Sequence, residues 1–228
     1  RLGSELTACR AYPLLPLDEE FEFKLKSDVR ETWFRIELPS PGRVFVLAYG
    51  EEGMDLQLRL FHERNSLATD TGGFDSIWSL NRNDLYTGTY YFSVTRRDGE
   101  GIVKLDVDFI PVTFQEDPEP NNSPDEAGEL SLEEDTQGLL GYFTQGRVDS
   151  EDWYILKTES SGQLVFDIEG EPSLQLQARL YASNGRTILA DDSSGTESRR
   201  RLERKDLLPD TYYVRLTVAG GYGGYTIK

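Results

Sequence analysis

The stretch DLLPDTYYVRLTVAGGYGGYTIK, residues 206–228, decides how the chain folds. Tyr212, Val214, Leu216 and Val218 alternate with Tyr213, Arg215 and Thr217. Successive side chains of an extended strand point to opposite faces, so this period describes a half-buried strand. Gly220–Gly221 and Gly223–Gly224 then read as a hairpin turn before a last strand, Tyr225–Lys228. They lack the strand-to-helix setting and the basic residue of a phosphate loop. SLQLQARLYASNG (Ser173–Gly185) behaves alike, with Leu174, Leu176, Ala178 and Leu180 on one face and Gln175, Gln177, Arg179 and Tyr181 on the other. Short strands punctuated by SNG, SSG and GGYGG turns indicate antiparallel sheets, and two layers of them form a sandwich. Asp125–Leu132 has room for one helical turn, because Ser123 and Pro124 supply a cap and a proline at the first helical position. Little other helix is expected.

The first half of the chain repeats the second in diverged form. ETWFRIEL (Glu31–Leu38) matches EDWYILKT (Glu151–Thr158) with Trp33 and Trp153 120 residues apart, and LQLRLF (Leu56–Phe61) matches LQARLY (Leu176–Tyr181) at the same offset. DLYTGTYYFSVT (Asp84–Thr95) matches DLLPDTYYVRLT (Asp206–Thr217) at an offset of 122. Solenoid repeats run about 20–50 residues, so a period this long means tandem domains. The expected architecture is all-β: two tandem antiparallel β-sandwiches, jelly-roll-like, over residues 1–115 and 116–228. The boundary falls near Pro111–Asn122, where apolar alternation gives way to proline, asparagine and acid. Trp33 and Trp153 occupy the same place in both copies and read as architectural.

Composition narrows the function. At 228 residues, the chain suits one large or two ordinary domains, and 37 % hydrophobic with 11 % aromatic residues is too much for a disordered one. Against 24 basic residues stand 41 acidic ones, a net charge of −17 that excludes a nucleic-acid partner, whose phosphates need clustered positive charge. No run approaches the roughly 18 apolar residues of a transmembrane helix. Cys9 has no second cysteine to pair with. LTAC (Leu6–Cys9) matches a lipoprotein cleavage box, but Arg1–Glu5 is polar where a signal peptide needs an apolar stretch of about 7–15 residues. The single histidine, His62, follows the strand Leu56–Phe61 with no nucleophile singled out beside it. Cys9 has no activating neighbour other than Arg10. Acid runs such as Glu133–Glu134–Asp135 are ordinarily solvated faces. The chain does not read as an enzyme.

The segment joining the copies, Glu116–Leu156, is richer. It opens with Asp117, Glu119, Asn121 and Asn122 and ends with DSEDWY, which sets Asp149 and Asp152 three apart before an aromatic strand. Hard cations such as calcium take about six to eight oxygen ligands, and two oxygen-rich clusters brought together would supply them. Pro118, Pro120, Asn121, Asn122 and Pro124 are equally the chemistry of a polar linker. On composition both readings stand.

The order of these pieces, E-P-N-N-S, a hydrophobic strand, then D-x-x-D-W-Y, resembles the opening of bacterial pre-peptidase C-terminal (PPC) domains. That group includes the collagen-binding domains of clostridial collagenases. The resemblance continues through Ser173–Gly185, ADDSSG (Ala190–Gly195) and Asp206–Lys228, about the last half of the chain. It implies Ca2+ held by Asp117, Glu119, Asn121, Asn122, Asp149 and Asp152, with Asp117 standing where the family more usually has Glu. In the first copy Val29 and Thr32 take the places of Asp149 and Asp152, and TACRAYPLLPLDEE (Thr7–Glu20) has no E-P-N-N. Calcium is therefore expected in the second domain only. The resemblance further implies a secreted, periplasmic or cell-surface bacterial protein. Its role would be that of a non-catalytic accessory module engaging an extracellular polymer or protein. The alternatives are an assembly subunit binding another chain through the first domain, or a targeting or chaperone appendage of a secreted protease.

Three groups of residues are candidates for partner contact. Phe45, Leu47 and Tyr49 alternate with the core positions Val44, Val46 and Ala48, which makes that strand apolar on both faces, whereas the second copy has Val165, Asp167 and Glu169. Such a face is expected to be covered by Tyr12–Leu17, by the second domain or by a partner. Arg199 and Arg201, in the cluster SRRRLERKD, share a strand face and either meet an anionic glycan or acidic partner or balance the negative charge. Tyr181 and Tyr213 lie on the polar faces of their strands, with Tyr222 and Tyr225 nearby, and exposed tyrosines make good contact residues.

Overall fold

The computed structural model describes residues 12–63, 65–70, 72–73, 76–114, 117–144 and 146–228. Cys9, Arg10, the LTAC box and Glu116 lie outside the described residues. Two compact units divide the rest: one runs to residue 112 and includes 144 and 146, and the other comprises 113–143 and 147–228. No helix among the described residues is long and apolar enough to cross a membrane.

The first unit contains β1 (Glu20–Leu25), β2 (Glu31–Leu38), β3 (Gly42–Gly50), β4 (Asp55–His62), β5 (Asn65–Thr69), β6 (Ile77–Leu85), β7 (Gly88–Asp98) and β8 (Gly101–Pro111). They lie side by side in the orders β1-β8-β3-β6 and β2-β7-β4-β5, a sandwich of antiparallel sheets. The period of two does the sorting: Val44, Val46 and Ala48 of β3 are fully buried, as are Leu58 and Leu60 of β4. Burying such side chains stabilises by roughly 1.5–3 kcal/mol each before conformational entropy is subtracted.

The second unit follows the same plan. The remaining strands are β9 (Gly128–Glu129), β10 (Thr136–Leu140), β11 (Phe143–Thr144), β12 (Arg147–Val148), β13 (Glu151–Lys157), β14 (Gly162–Gly170), β15 (Gln175–Tyr181), β16 (Ile188–Asp192), β17 (Arg199–Leu207), β18 (Thr211–Gly220) and β19 (Gly223–Ile227). The sheets are ordered β10-β19-β14-β17 and β16-β15-β18-β13-β9. β10 and β13–β19 therefore stand in the same order as β1–β8, with β9 added at the edge beside β13. Loop hydrogen bonds recur too. Arg96 N–H donates to Arg30 O at 2.8 Å, and Val218 N–H to Ser150 O at 3.0 Å. The core gathers Leu176, Ala178, Leu180, Val214 and Leu216 with Phe166 and Ile168 of the facing sheet.

Three expectations need correction. The helical turn is a 3-10 turn of three residues, Pro124–Glu126, without a side-chain cap; Ser123 Oγ donates instead to Glu126 Oε2 at 3.0 Å. It stops there because Gly128–Glu129 pairs in parallel with Tyr154–Ile155 and Leu130 N–H donates to Ile155 O. The last strand begins at Gly223 rather than Tyr225, since Gly223 and Gly224 pair with Leu140 and Leu139. The turn is left to Gly221, whose φ of +75° suits glycine and whose position leaves no room for a Cβ against Ser173 O. Finally, Tyr12–Leu17 is not the cover of β3. Arg35 N–H donates to Pro13 O and Leu15 N–H to Arg35 O, so the segment completes the edge of β2 and buries Leu15.

Candidate metal centre

The lead-in 117–122 is fastened to the start of β13 by Trp153 N–H, which donates to Asn121 O at 2.8 Å. Asp149 is fixed by its own main chain, donating to Tyr142 O and accepting from Gly141 N–H, both at 2.8 Å. Asp152 opposes Leu216 in the β13–β18 ladder and shares its inward face, fully buried. The sandwich thereby draws both clusters together: carboxylate oxygens of Asp117, Glu119 and Asp152 lie within 4.8 Å of one another.

The residues of the cluster play different parts. Asp117 is the anchor, its Oδ1 accepting from Leu139 N–H at 3.1 Å and its Oδ2 from Asn121 Nδ2 at 2.7 Å and Tyr154 Oη at 3.2 Å. Glu119 Oε1, Asn121 Oδ1, Asp152 Oδ1 and both carboxylate oxygens of Asp149 are buried with no N–H or hydroxyl group reaching them, and the Glu119 and Asp149 carboxyls face one another. Asn122 stands at the rim, half-buried, with its Nδ2 donating to Glu119 Oε2 at 3.1 Å. The geometry thus gathers Asp117, Glu119 and Asp152 in one group, with Asn121 bonded to Asp117 and Asp149 facing Glu119, and leaves the Asn122 side chain as their support.

Buried polar atoms in folded proteins almost always have a partner, and an unsatisfied one costs about 1–3 kcal/mol, more when charged. Among the described residues no Lys, Arg or His forms an ion pair with these four carboxylates. The protonation equilibria respond accordingly. Burial, and then the neighbouring Glu119 charge, pushes Asp149 up to about 9. Burial, and then the Asp117 and Asp149 charges, holds Asp152 well above the usual carboxylate range. Asp117 and Glu119 are raised chiefly by burial. Such a site takes up either protons or a cation. Its donors are all oxygen, which matches a hard divalent ion.

Two tyrosines that sequence reasoning missed complete it. Tyr225 Oη donates to Asp152 Oδ2 and lies 2.6 Å from Tyr154 Oη, whose other neighbour is Asp117. Tyr225 is fully buried rather than exposed. Gly138 on β10 makes the space, since a Cβ there would strike both hydroxyls. A signal for Tyr154 was present, because it follows Asp152 by two on an inward-facing strand. Tyr225 offered none.

At the matching corner the first unit is apolar and self-contained. Phe34 stands where the second unit has Tyr154, packed edge-on by Phe21 and Phe23 at 5.5 and 5.1 Å, and Val103 replaces Tyr225. The loop corresponding to 146–150 is held by a side-chain cation. Arg96 donates through Nε to Val29 O at 3.2 Å, through Nη2 to Ser27 O at 2.8 Å and through Nη1 to Gly99 O at 3.3 Å.

The other candidate contacts are distributed as follows. Arg201 Nη1 lies 2.5 and 2.8 Å from the two Asp167 oxygens, and Arg199 Nη2 3.4 Å from Glu169 Oε1, so both are engaged across the β14–β17 ladder. Tyr181 is only 6 % exposed, its ring 5.0 Å from that of Trp153, which corrects its reading as an exposed residue. Tyr213 is half-buried, 6.4 Å from the same indole, over which the Arg215 guanidinium lies at 5.4 Å. Phe45 and Leu47 are half-buried and Tyr49 is 37 % exposed. His62 lies against the Tyr90 ring at 5.3 Å.

No protein-family model matches the chain, and no curated protein sequence does. Several solved structures are similar at low identity. The pre-peptidase C-terminal domain of a Bacillus anthracis collagenase is 21 % identical over 42 % of this chain and 92 % of its own, with a TM-score of 0.38. An anti-sigma factor domain-containing protein from Clostridium clariflavum is 12 % identical over 91 % of this chain and 84 % of its own, with a TM-score of 0.28. The tandem CBM22-1–CBM22-2 domain of Paenibacillus barcinonensis Xyn10C is 9 % identical over 90 % and 80 %, with a TM-score of 0.26.

Proposed function

We propose that the chain is a non-catalytic accessory module of a secreted, periplasmic or surface bacterial protein, stabilised by calcium in its second unit and engaging an extracellular polymer or protein. The observation that carries the calcium reading is the set of five buried oxygens on Glu119, Asn121, Asp149 and Asp152 that no N–H or hydroxyl group reaches. They surround carboxylates with no basic partner among the described residues. Glu119, Asn121, Asp149 and Asp152 would hold the ion, with Asp117 offering the lone pair its three donors leave free. The ion would neutralise the cluster and tie the lead-in 117–122 to the start of β13, where Asp152 is the second residue. Soft-metal ligands are missing from this donor set, and an irregular shell of carboxylates and amide suits calcium better than the strict octahedron of magnesium. We read the repeated strand order as a tandem duplication in which one copy kept the site.

A second reading, assembly with another chain through the first unit, is favoured by one feature. Tyr49 and Ile77 are cross-strand neighbours on the outer face of β3–β6, and both are exposed. Thermal unfolding in calcium-free buffer and in millimolar calcium tests the main reading. At about 100 times the dissociation constant the ion would add roughly 2.7 kcal/mol, seen as a rise in melting temperature. Asp149→Ala should abolish that rise. An equal response of wild type and Asp149→Ala, or none in either, would reduce the lead-in to a plain linker.

A further inference from the structure

We infer that the first unit carries a binding groove for an acidic polysaccharide, built from four arginines on and beside the outer face of β2, β7 and β4. This deepens the binding-module reading and is independent of calcium. Arg30, Arg59, Arg96 and Arg97 line one open groove of about 690 Å³, within the range of small-ligand pockets. In a chain with a net charge of −17, many of the arginines sit beside a carboxylate. Arg35, Arg82, Arg179, Arg201 and Arg215 all do, each within 4.0 Å of one. None of the four groove arginines forms such a pair among the described residues, although Asp70 lies in the field of Arg59 and Arg97 and Glu100 in that of Arg96.

Two of the four are fixed by neutral acceptors. Arg96 spends its donors on the main-chain carbonyls of Ser27, Val29 and Gly99, and Arg59 Nη2 donates to Gln57 Oε1 at 2.6 Å. Carbonyl and amide oxygens hold a guanidinium without cancelling its charge. Arg30 and Arg97 flank them, exposed and with no hydrogen bond to a described residue, so their planar forks remain open to a carboxylate or sulfate. The groove pairs this charge with groups that suit hydroxyls. Glu31, Thr95 and Gln57 form a cross-strand row along its floor, with Thr95 Oγ1 donating to Glu31 Oε1 at 3.1 Å. Glu31 would repel a ligand made only of carboxylates but would accept from a sugar hydroxyl. That combination favours an acidic sugar chain over an acidic peptide. Charge spaced one per sugar also suits an acidic protein better than the dense phosphates of nucleic acid.

The test is affinity electrophoresis of the full chain through polygalacturonate, dextran sulfate, neutral dextran and poly-glutamate. We expect retardation by one or both of the charged polysaccharides, weakening as salt rises. Arg30→Gln with Arg97→Gln should weaken it at least about tenfold, a change near 1.4 kcal/mol. Arg43→Gln, on the opposite sheet, should leave it unchanged. Both arginines of the double variant are exposed, so an unaltered melting temperature would show that folding is intact. Absence of retardation, equal retardation of the double variant, or stronger retardation by poly-glutamate would overturn the proposal. The calcium-dependent melting shift is read separately on the same preparations, so loss of either property is distinguishable from loss of the other.

Discussion

Asp149 and Asp152 decide how the second unit responds to pH. Their carboxyls are raised in the folded state by burial and by the charges around them, so in the absence of a cation the folded chain holds protons that the unfolded chain releases. The stability they contribute is complete below about pH 4, the unfolded carboxylate range, and falls as pH rises toward the value near 9 for Asp149. Under the calcium reading, the ion would displace those protons and reverse the trend. The melting temperature in calcium-free buffer should therefore drop between pH 5 and pH 8 while the gain from calcium widens. Asp149→Asn should flatten both, and a calcium gain equal at the two pH values would contradict this account. The oxygen-bearing residues of the cluster were readable from sequence because their chemistry lies in their own side chains. The want of donors around them was not, since it depends on what the rest of the fold fails to bring near. Tyr225 was unreadable for a related reason: its partner Asp152 lies 73 residues away.

At the scale of elements, strand alternation was a reliable guide. The inward rows of β15 and β18 are the ones their period of two marked, and offsets of 120 and 122 carry β2–β4 and β6–β8 onto their counterparts. Edges were harder. Both the parallel pairing of β9 and the docking of Pro13–Leu15 on β2 are made by main-chain groups, which leave no trace in a hydropathy pattern. The 3-10 turn was overextended because a cap and a proline specify where a turn starts, not where a competing strand ends it. Arg96 belongs at this scale as well. Its contacts to Ser27 O and Val29 O tie the end of β7 to the loop before β2, that to Gly99 O braces the turn after β7, and Arg96→Met should destabilise the first unit by roughly 1–3 kcal/mol in denaturant unfolding. That loss should be the same with and without calcium. Rescue by calcium would show that the loop has an ion of its own.

In the whole molecule, two units with one strand order are closed by different devices, a guanidinium in one and an oxygen cluster in the other. Limited proteolysis should expose the difference. With calcium removed, cleavage is expected first within 117–135 of the second unit, while the loop 26–30 resists under both conditions. Equal cutting of both segments, or none that depends on calcium, would count against separate closing devices. The Arg96 arrangement has an experimental benefit too. Because the first unit's fastening cation is covalently part of the chain, it cannot be titrated out, washed away or exchanged. On the calcium reading, each molecule would carry an insensitive unit along with the sensitive one, an internal control at equal concentration. Spectral changes on adding calcium can be sorted by unit, those near Trp153 against those near Trp33, without a second protein.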